Sequence, residues 1–125
     1  MRCGLLGRTL RYSYSPQIHA QLTDRYSYEL VEREEGELDA LLRGGEFDGL
    51  NVTIPYKLAV MPYCAALSDA AREIGSVNPL VRRPDGTLYG DNTDPYGFRW
   101  LLARGGGIRP GEKALVLGTG GASQT

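Results

Sequence analysis

The sequence predicts an α/β fold on a mixed, mainly parallel sheet, and three observations carry that expectation. Short apolar runs alternate with segments of helical periodicity, the rhythm of β–α units. Pro84-Asp85-Gly86 joins two strand-like runs through a turn, so an antiparallel pair interrupts the parallel order. The segment Gly49–Lys57 reads as a short strand with one polar and one apolar face that stops at a proline.

Taken in order, Cys3–Gly7 is a strand and Pro16–Asp24 a helix. Ser15 suits the cap of that helix, Pro16 its first position, and Ile18 and Leu22 lie four apart on one face. Ser27–Arg33 is a second strand. Leu38, Leu41 and Leu42 give Glu37–Arg43 helical spacing, and Gly44-Gly45 stops it. In the strand Gly49–Ile54, Asn51 and Thr53 project to one face, Val52 and Ile54 to the other. Pro55 cannot donate to a ladder, which leaves Tyr56 and Lys57 in the turn beyond the carboxyl end. Leu58–Leu67 is mostly apolar, and Ser68-Asp69 starts a helix that runs through Ile74 and ends at Gly75. Val77–Arg83 and Thr87–Asn92 form the hairpin, and the helix Pro95–Arg104 ends in Gly105-Gly106-Gly107. Ile108–Lys113 is a Pro/Gly-bearing connector before a strand at Ala114–Leu117, which puts a domain boundary near Gly105–Lys113.

Composition narrows the function. A chain of 125 residues holds one domain with a real core. With 14 Lys+Arg against 15 Asp+Glu the formal charge is −1, which offers no electrostatic capture of nucleic acid or an anionic membrane, so the partner is a small molecule. No apolar run reaches the roughly 18 residues of a membrane span, and no secretory leader pattern opens the chain, so a cytoplasmic protein is expected. Cys3 and Cys64 lack Cys or His neighbours at ligand spacing, so no metal site is expected, and both read as buried free thiols. Internal repeats and low-complexity tracts are absent.

Polar clusters sit at strand ends and strand-to-helix turns, where a rigid frame displays functional side chains. Ser13 and Ser15 are two apart in an extended turn, so their hydroxyls can converge on one ligand; Ser15 equally suits the helix cap. Asn51, Thr53 and Lys57 form the second cluster, although Asn and Thr beside a proline also close turns, and Lys57 also suits a solvated helix start. Asn78 lies in an otherwise apolar strand and needs a partner, a ligand or neighbouring backbone. Asp94 fits the cap of the helix at Pro95; placed near Lys57 instead, it would hold the ammonium and complete an acid/base dyad for a carbonyl or alcohol. Gly118-Thr119-Gly120-Gly121-Ala122-Ser123 follows a strand-like run, the context in which backbone N–H groups cradle a dinucleotide pyrophosphate. The single histidine, His19, has no acidic or thiol partner at catalytic spacing and reads as structural.

Together these residues resemble the shikimate dehydrogenase family over nearly the whole chain. The family's Ser-x-Ser-Pro motif appears as Ser13-Tyr14-Ser15-Pro16, and its Asn-Val-Thr-x-Pro-x-Lys motif as Asn51–Lys57. Its Ile-Gly-Ala-Val-Asn segment is similar to Ile74-Gly75-Ser76-Val77-Asn78, its Asn-Thr-Asp motif to Asn92-Thr93-Asp94, and its NADP loop to Gly118–Ser123. The resemblance implies a three-layer αβα substrate-binding domain over residues 1–104. Residues 105–125 would be the linker, first strand and glycine-rich loop of an NADP-binding Rossmann domain.

It further implies that Ser13 and Ser15 hold a substrate carboxylate, that Asn51, Thr53, Asn78 and Asp94 contact ring hydroxyls, and that Lys57 and Asp94 are the catalytic pair. The implied reaction is NADPH-dependent, reversible reduction of 3-dehydroshikimate to shikimate in aromatic amino-acid biosynthesis. The sequence departs from the family pattern at Ser76 for alanine, Pro79 for threonine and Pro95 for glycine. Those changes bear most on substrate preference. Family members are roughly twice as long, so this chain is expected to be the substrate half, inactive alone. Its unpaired strand is expected to favour aggregation unless it pairs in a homodimer. Two alternatives stand beside this reading: a quinate/shikimate dehydrogenase, against which the two serines favour shikimate, and a non-catalytic shikimate-binding module.

Overall fold

The first apolar run becomes β1 (Arg2–Gly7), which is hydrogen-bonded on both sides in the computed structural model, where residues 1–120 and 122–125 are described. Its parallel neighbours are β2 (Ser27–Glu32) and β3 (Gly49–Val52). The predicted hairpin forms β5 (Pro79–Arg82) and β6 (Leu88–Gly90), antiparallel to each other, with β5 antiparallel to β3. Asp85 fixes the turn by accepting from the Thr87 N–H and hydroxyl, at 2.9 and 2.6 Å. Part of the unassigned apolar run Leu58–Leu67 forms β4 (Cys64–Leu67), an edge strand parallel to β6. The six strands lie in the order β2-β1-β3-β5-β6-β4, and three of the five pairings are parallel.

Strand alternation sorts the helices into two layers. Leu6, Val31, Leu50, Val52 and Leu80 share one face of the sheet. They pack against Leu38, Leu41 and Leu42 of α2 (Leu38–Arg43) and Ala71 of α3 (Asp69–Ile74). On the other face lie Cys3, Tyr28 and Asn51, with α1 (Ser15–Leu22) over β2, where the His19 ring stacks on Tyr28. The result is an α/β/α arrangement. Ser68 caps α3 by accepting from the Ala71 N–H at 3.0 Å, and Gly75 stops it in the left-handed conformation, both as the sequence signals indicate.

Four expectations need correction. Ser15 does not cap α1: it is the first helical residue, and its N–H donates to Ser13 Oγ at 3.2 Å; Ile18 and Leu22 share a face of that helix as expected, both exposed. Cys3 and Cys64 are free thiols, but both are only partly buried. Ile54 does not share the buried side of Val52: β3 ends at Val52, the backbone turns through a cis Ile54–Pro55 peptide, and Ile54 faces solvent. Ala114–Leu117 is not a strand. No neighbouring segment offers it a ladder among the described residues, and Leu115, Val116 and Leu117 lie exposed.

Candidate functional site

The carboxyl ends of β1, β3 and β6 and the amino end of β5 meet at one edge of the sheet, because β5 alone among these four runs in reverse. Each predicted polar cluster is delivered there by one of those ends. Backbone bonds lock the segments together. Val52 N–H donates to Asn78 O (2.5 Å), Val77 N–H to Lys57 O (2.8 Å), Asn78 N–H to Asp91 O (3.0 Å) and Thr53 N–H to Leu6 O (2.9 Å). Tyr56, buried just before Lys57, donates its hydroxyl to Arg33 O at 2.6 Å and fixes the turn from below.

Lys57, Asp94 and Asn78 form one hydrogen-bonded cluster. Lys57 Nζ donates to Asp94 Oδ2 at 2.5 Å, and Asn78 Nδ2 donates to Asp94 Oδ1 at 2.8 Å. The Lys57 and Asp94 side chains retain 20% and 32% exposure, so the pair is shielded and still reachable by a ligand. Asp94 opens α4 (Asp94–Arg104), yet its carboxylate is spent on Lys57 and Asn78 rather than on capping. Asn78 also pairs with backbone: its Oδ1 accepts the Thr93 N–H at 2.8 Å. A residue the sequence reading gave no role, Asn92, sits fully buried beneath them. Its Nδ2 donates to Ser76 O and Oγ, both at 2.9 Å, and its Oδ1 accepts the Asp94 N–H at 3.1 Å. Its place inside the Asn-Thr-Asp motif was the available signal. Ser76, one of the departures from the family pattern, is thus a buried partner of Asn92.

Ser13 and Ser15 pair through the Ser15 N–H and Ser13 Oγ, and Asn51 pairs with a residue no motif singled out. The Tyr28 hydroxyl donates to Asn51 Oδ1 at 2.7 Å. Ser13 and Ser15 line an open cleft of about 770 Å³ with Thr9, Thr53, Arg8 and Arg11. The two arginines bring positive charge to a cleft already rich in hydroxyls, which suits a carboxylate-bearing ligand. Arg8 directly follows the carboxyl end of β1, a position that could have marked it in the sequence.

Lys57 and Asp94 border a separate cleft of about 930 Å³, also lined by Leu115, Val116, Leu117, Ala122 and Ser123. The end of the glycine-rich loop therefore faces the Lys57–Asp94 pair. Gly118 has φ +116°, and a Cβ at Gly120 would meet nothing within 4 Å, so the backbone is open to close approach by a phosphate. Ser123 folds the loop back, its N–H and hydroxyl both donating to Gly120 O at 3.0 and 2.7 Å. Thr119 lies exposed beside Gly120, and Gly121 lies outside the described residues. Among the described residues no group of three or more His, Cys, Asp or Glu side chains could hold a metal, and no helix is long and apolar enough to cross a membrane.

A family model described as the shikimate dehydrogenase substrate binding domain matches residues 5–80. A relative from Syntrophomonas wolfei, named shikimate dehydrogenase (NADP(+)), is 41% identical over 129 aligned residues, covering 98% of this chain and 44% of its own length. The crystal structure of shikimate dehydrogenase 1 from Peptoclostridium difficile superposes with a TM-score of 0.90 at 35% identity, covering 98% of this chain and 49% of that one. That of shikimate 5-dehydrogenase from Thermus thermophilus, in complex with NADP(H) and shikimate, gives a TM-score of 0.86 at 36% identity, covering 99% and 49%. The chain thus spans about half the length of the relatives it matches.

Proposed function

The chain belongs to the shikimate dehydrogenase family through its substrate-binding domain, and on that premise we propose that it serves the reversible, NADPH-dependent reduction of 3-dehydroshikimate to shikimate. Residues 1–104 are the substrate-binding domain, and residues 105–125 are the linker and the start of an NADP-binding domain. The chain is the substrate half of such an enzyme and does not turn over alone. Its setting is the cytoplasm and its partner a small molecule, with no nucleic acid or membrane surface and a homodimer as its assembly.

The observation that carries the reading is the Lys57–Asp94–Asn78 cluster at the meeting point of the strand ends. Lys57 gives its proton to the substrate oxygen as an alkoxide develops there, and takes it back in the reverse direction. Asp94 holds Nζ in place, and Asn78 holds the other carboxylate oxygen, so the ammonium is aimed before substrate arrives. Ser13 and Ser15, with Arg8 and Arg11 beside them, take the substrate carboxylate. Asn51, Thr53, Asn78 and Asp94 meet the ring hydroxyls. NADP, held by Gly118, Thr119, Gly120, Gly121, Ala122 and Ser123, supplies the hydride chemistry when bound.

Calorimetric titration of this chain with shikimate, and steady-state turnover of it joined to an NADP-binding half, test the proposal. Lys57→Ala is expected to lower kcat by about 10²–10⁴-fold while shikimate still binds. Unimpaired turnover by Lys57→Ala would remove the lysine from the mechanism. Tighter binding of quinate than shikimate would shift the substrate assignment to the quinate/shikimate variant.

A further inference from the structure

We propose that Tyr28 is a positioning residue: its hydroxyl fixes the orientation of the Asn51 carboxamide, so that the amide presents its NH2 end to the ligand. This role rests on the substrate reading above and deepens it. Tyr28 lies on β2 and Asn51 on β3, with β1 between them. Their side chains emerge on the same face of the sheet as Cys3, so the phenol reaches over the central strand to meet the amide. A shorter side chain at position 28 would fall short, since two strand spacings separate the backbones by roughly 9–10 Å.

A carboxamide has an acceptor end and a donor end, and its neighbours decide which one faces a ligand. Tyr28 donates to Asn51 Oδ1 at 2.7 Å, while among the described residues Nδ2 has no partner. The NH2 end is left for a ligand oxygen. The phenol proton is directed at Asn51, since Asn51 Oδ1 is the acceptor within hydrogen-bond distance of the Tyr28 hydroxyl. Burial pushes the phenol up to about 12, with the nearby Cys3 and Tyr26 adding to the shift, so Tyr28 stays a donor throughout the neutral range. The ring is held flat against His19, centroids 3.7 Å apart and planes within 6°, and His19 Nδ1 pairs in turn with the Tyr26 hydroxyl at 2.7 Å.

The test is a double-mutant cycle on shikimate affinity, measured calorimetrically in the protein as encoded, with Tyr28→Phe, Asn51→Ala and the double variant. Tyr28→Phe keeps the ring on His19 and removes only the hydroxyl. It is expected to weaken binding about tenfold in the wild-type background, the scale of one lost hydrogen bond, and to change nothing further once Asn51 is alanine. A purely structural role would instead lower the thermal midpoint and weaken binding equally in both backgrounds; that result, or wild-type affinity in Tyr28→Phe, overturns the proposal. Full affinity in Asn51→Ala removes the amide from the ligand contact and overturns the proposal, whereas absence of shikimate binding by the wild type overturns the substrate reading itself and takes this role with it.

Discussion

Two apolar runs in this chain look alike as sequence and end differently. Cys3–Gly7 and Ala114–Leu117 both read as strands, each followed by a functional loop. The first becomes β1, paired on both sides, with Leu6 fully buried. The second has no ladder, and Leu117 is 85% exposed. Because a lone extended segment leaves its N–H and C=O groups to water and buries none of its side chains, strand identity belongs to a pair of segments rather than to a run of residues. The same contrast separates the two halves of the site. Around Lys57 and Asp94, bonds from three strand ends fix each side chain, whereas the glycine-rich loop is held only by its own turn at Gly120 and Ser123 among the interactions described.

The widest gap is expected from one chemical change made in both runs. Leu6→Ala should cost about 2–5 kcal/mol of unfolding free energy, and Leu117→Ala should stay within about 0.5 kcal/mol, both measured by denaturant titration. A large loss from Leu117→Ala would mean that the second run is packed in solution and would break the comparison. A smaller contrast is expected for glycines. A Cβ at Gly90 would lie 2.8 Å from Cys64 Sγ and from Leu67 Cδ2, and 2.9 Å from Val77 Cγ2, whereas at Gly120 it would meet nothing. Gly90→Ala should therefore destabilise by about 1–3 kcal/mol, while Gly120→Ala should leave the thermal midpoint nearly unchanged.

The smallest effect is confined to alkaline pH and concerns the folded half alone. Tyr28 binds its proton more tightly folded, at about 12, than at its ordinary value of 10. The stability it contributes is full below about pH 10 and is lost as pH rises towards 12. Absorbance titration should show one late-ionising tyrosine that disappears in Tyr28→Phe, and the alkaline fall in stability should become shallower in that variant. An unchanged titration would place Tyr28 in a wetter setting than its contacts indicate.

Much of the site was legible because its residues are clustered locally. Asn51, Thr53 and Lys57 fall within seven positions, and Asn92-Thr93-Asp94 within three, at strand ends marked by Pro, Gly and Asp. Arg8 and Tyr28 were not singled out, and Asn92 stood in its motif without a role of its own. Tyr28 lies 23 positions from Asn51 and meets it only because β2 and β3 flank β1. The edge strand β4 was equally hidden, since a four-residue apolar stretch carries no period of its own and exists as a strand through its pairing with β6.

By itself the sequence determined the order of most elements, the turn at Pro84–Gly86, the Ser68 cap, the stop at Gly75 and the polar motifs, all of which depend on neighbours a few residues away. Only the tertiary structure decided that Asp94 meets Lys57 instead of capping its helix, that Ser13 rather than Ser15 serves the first turn of α1, and that the last apolar run stays unpaired. The first of those outcomes is a competition between a local hydrogen bond and a distant one. The winner depends on which strand ends the sheet order brings together, and that order arises from pairing across the whole chain.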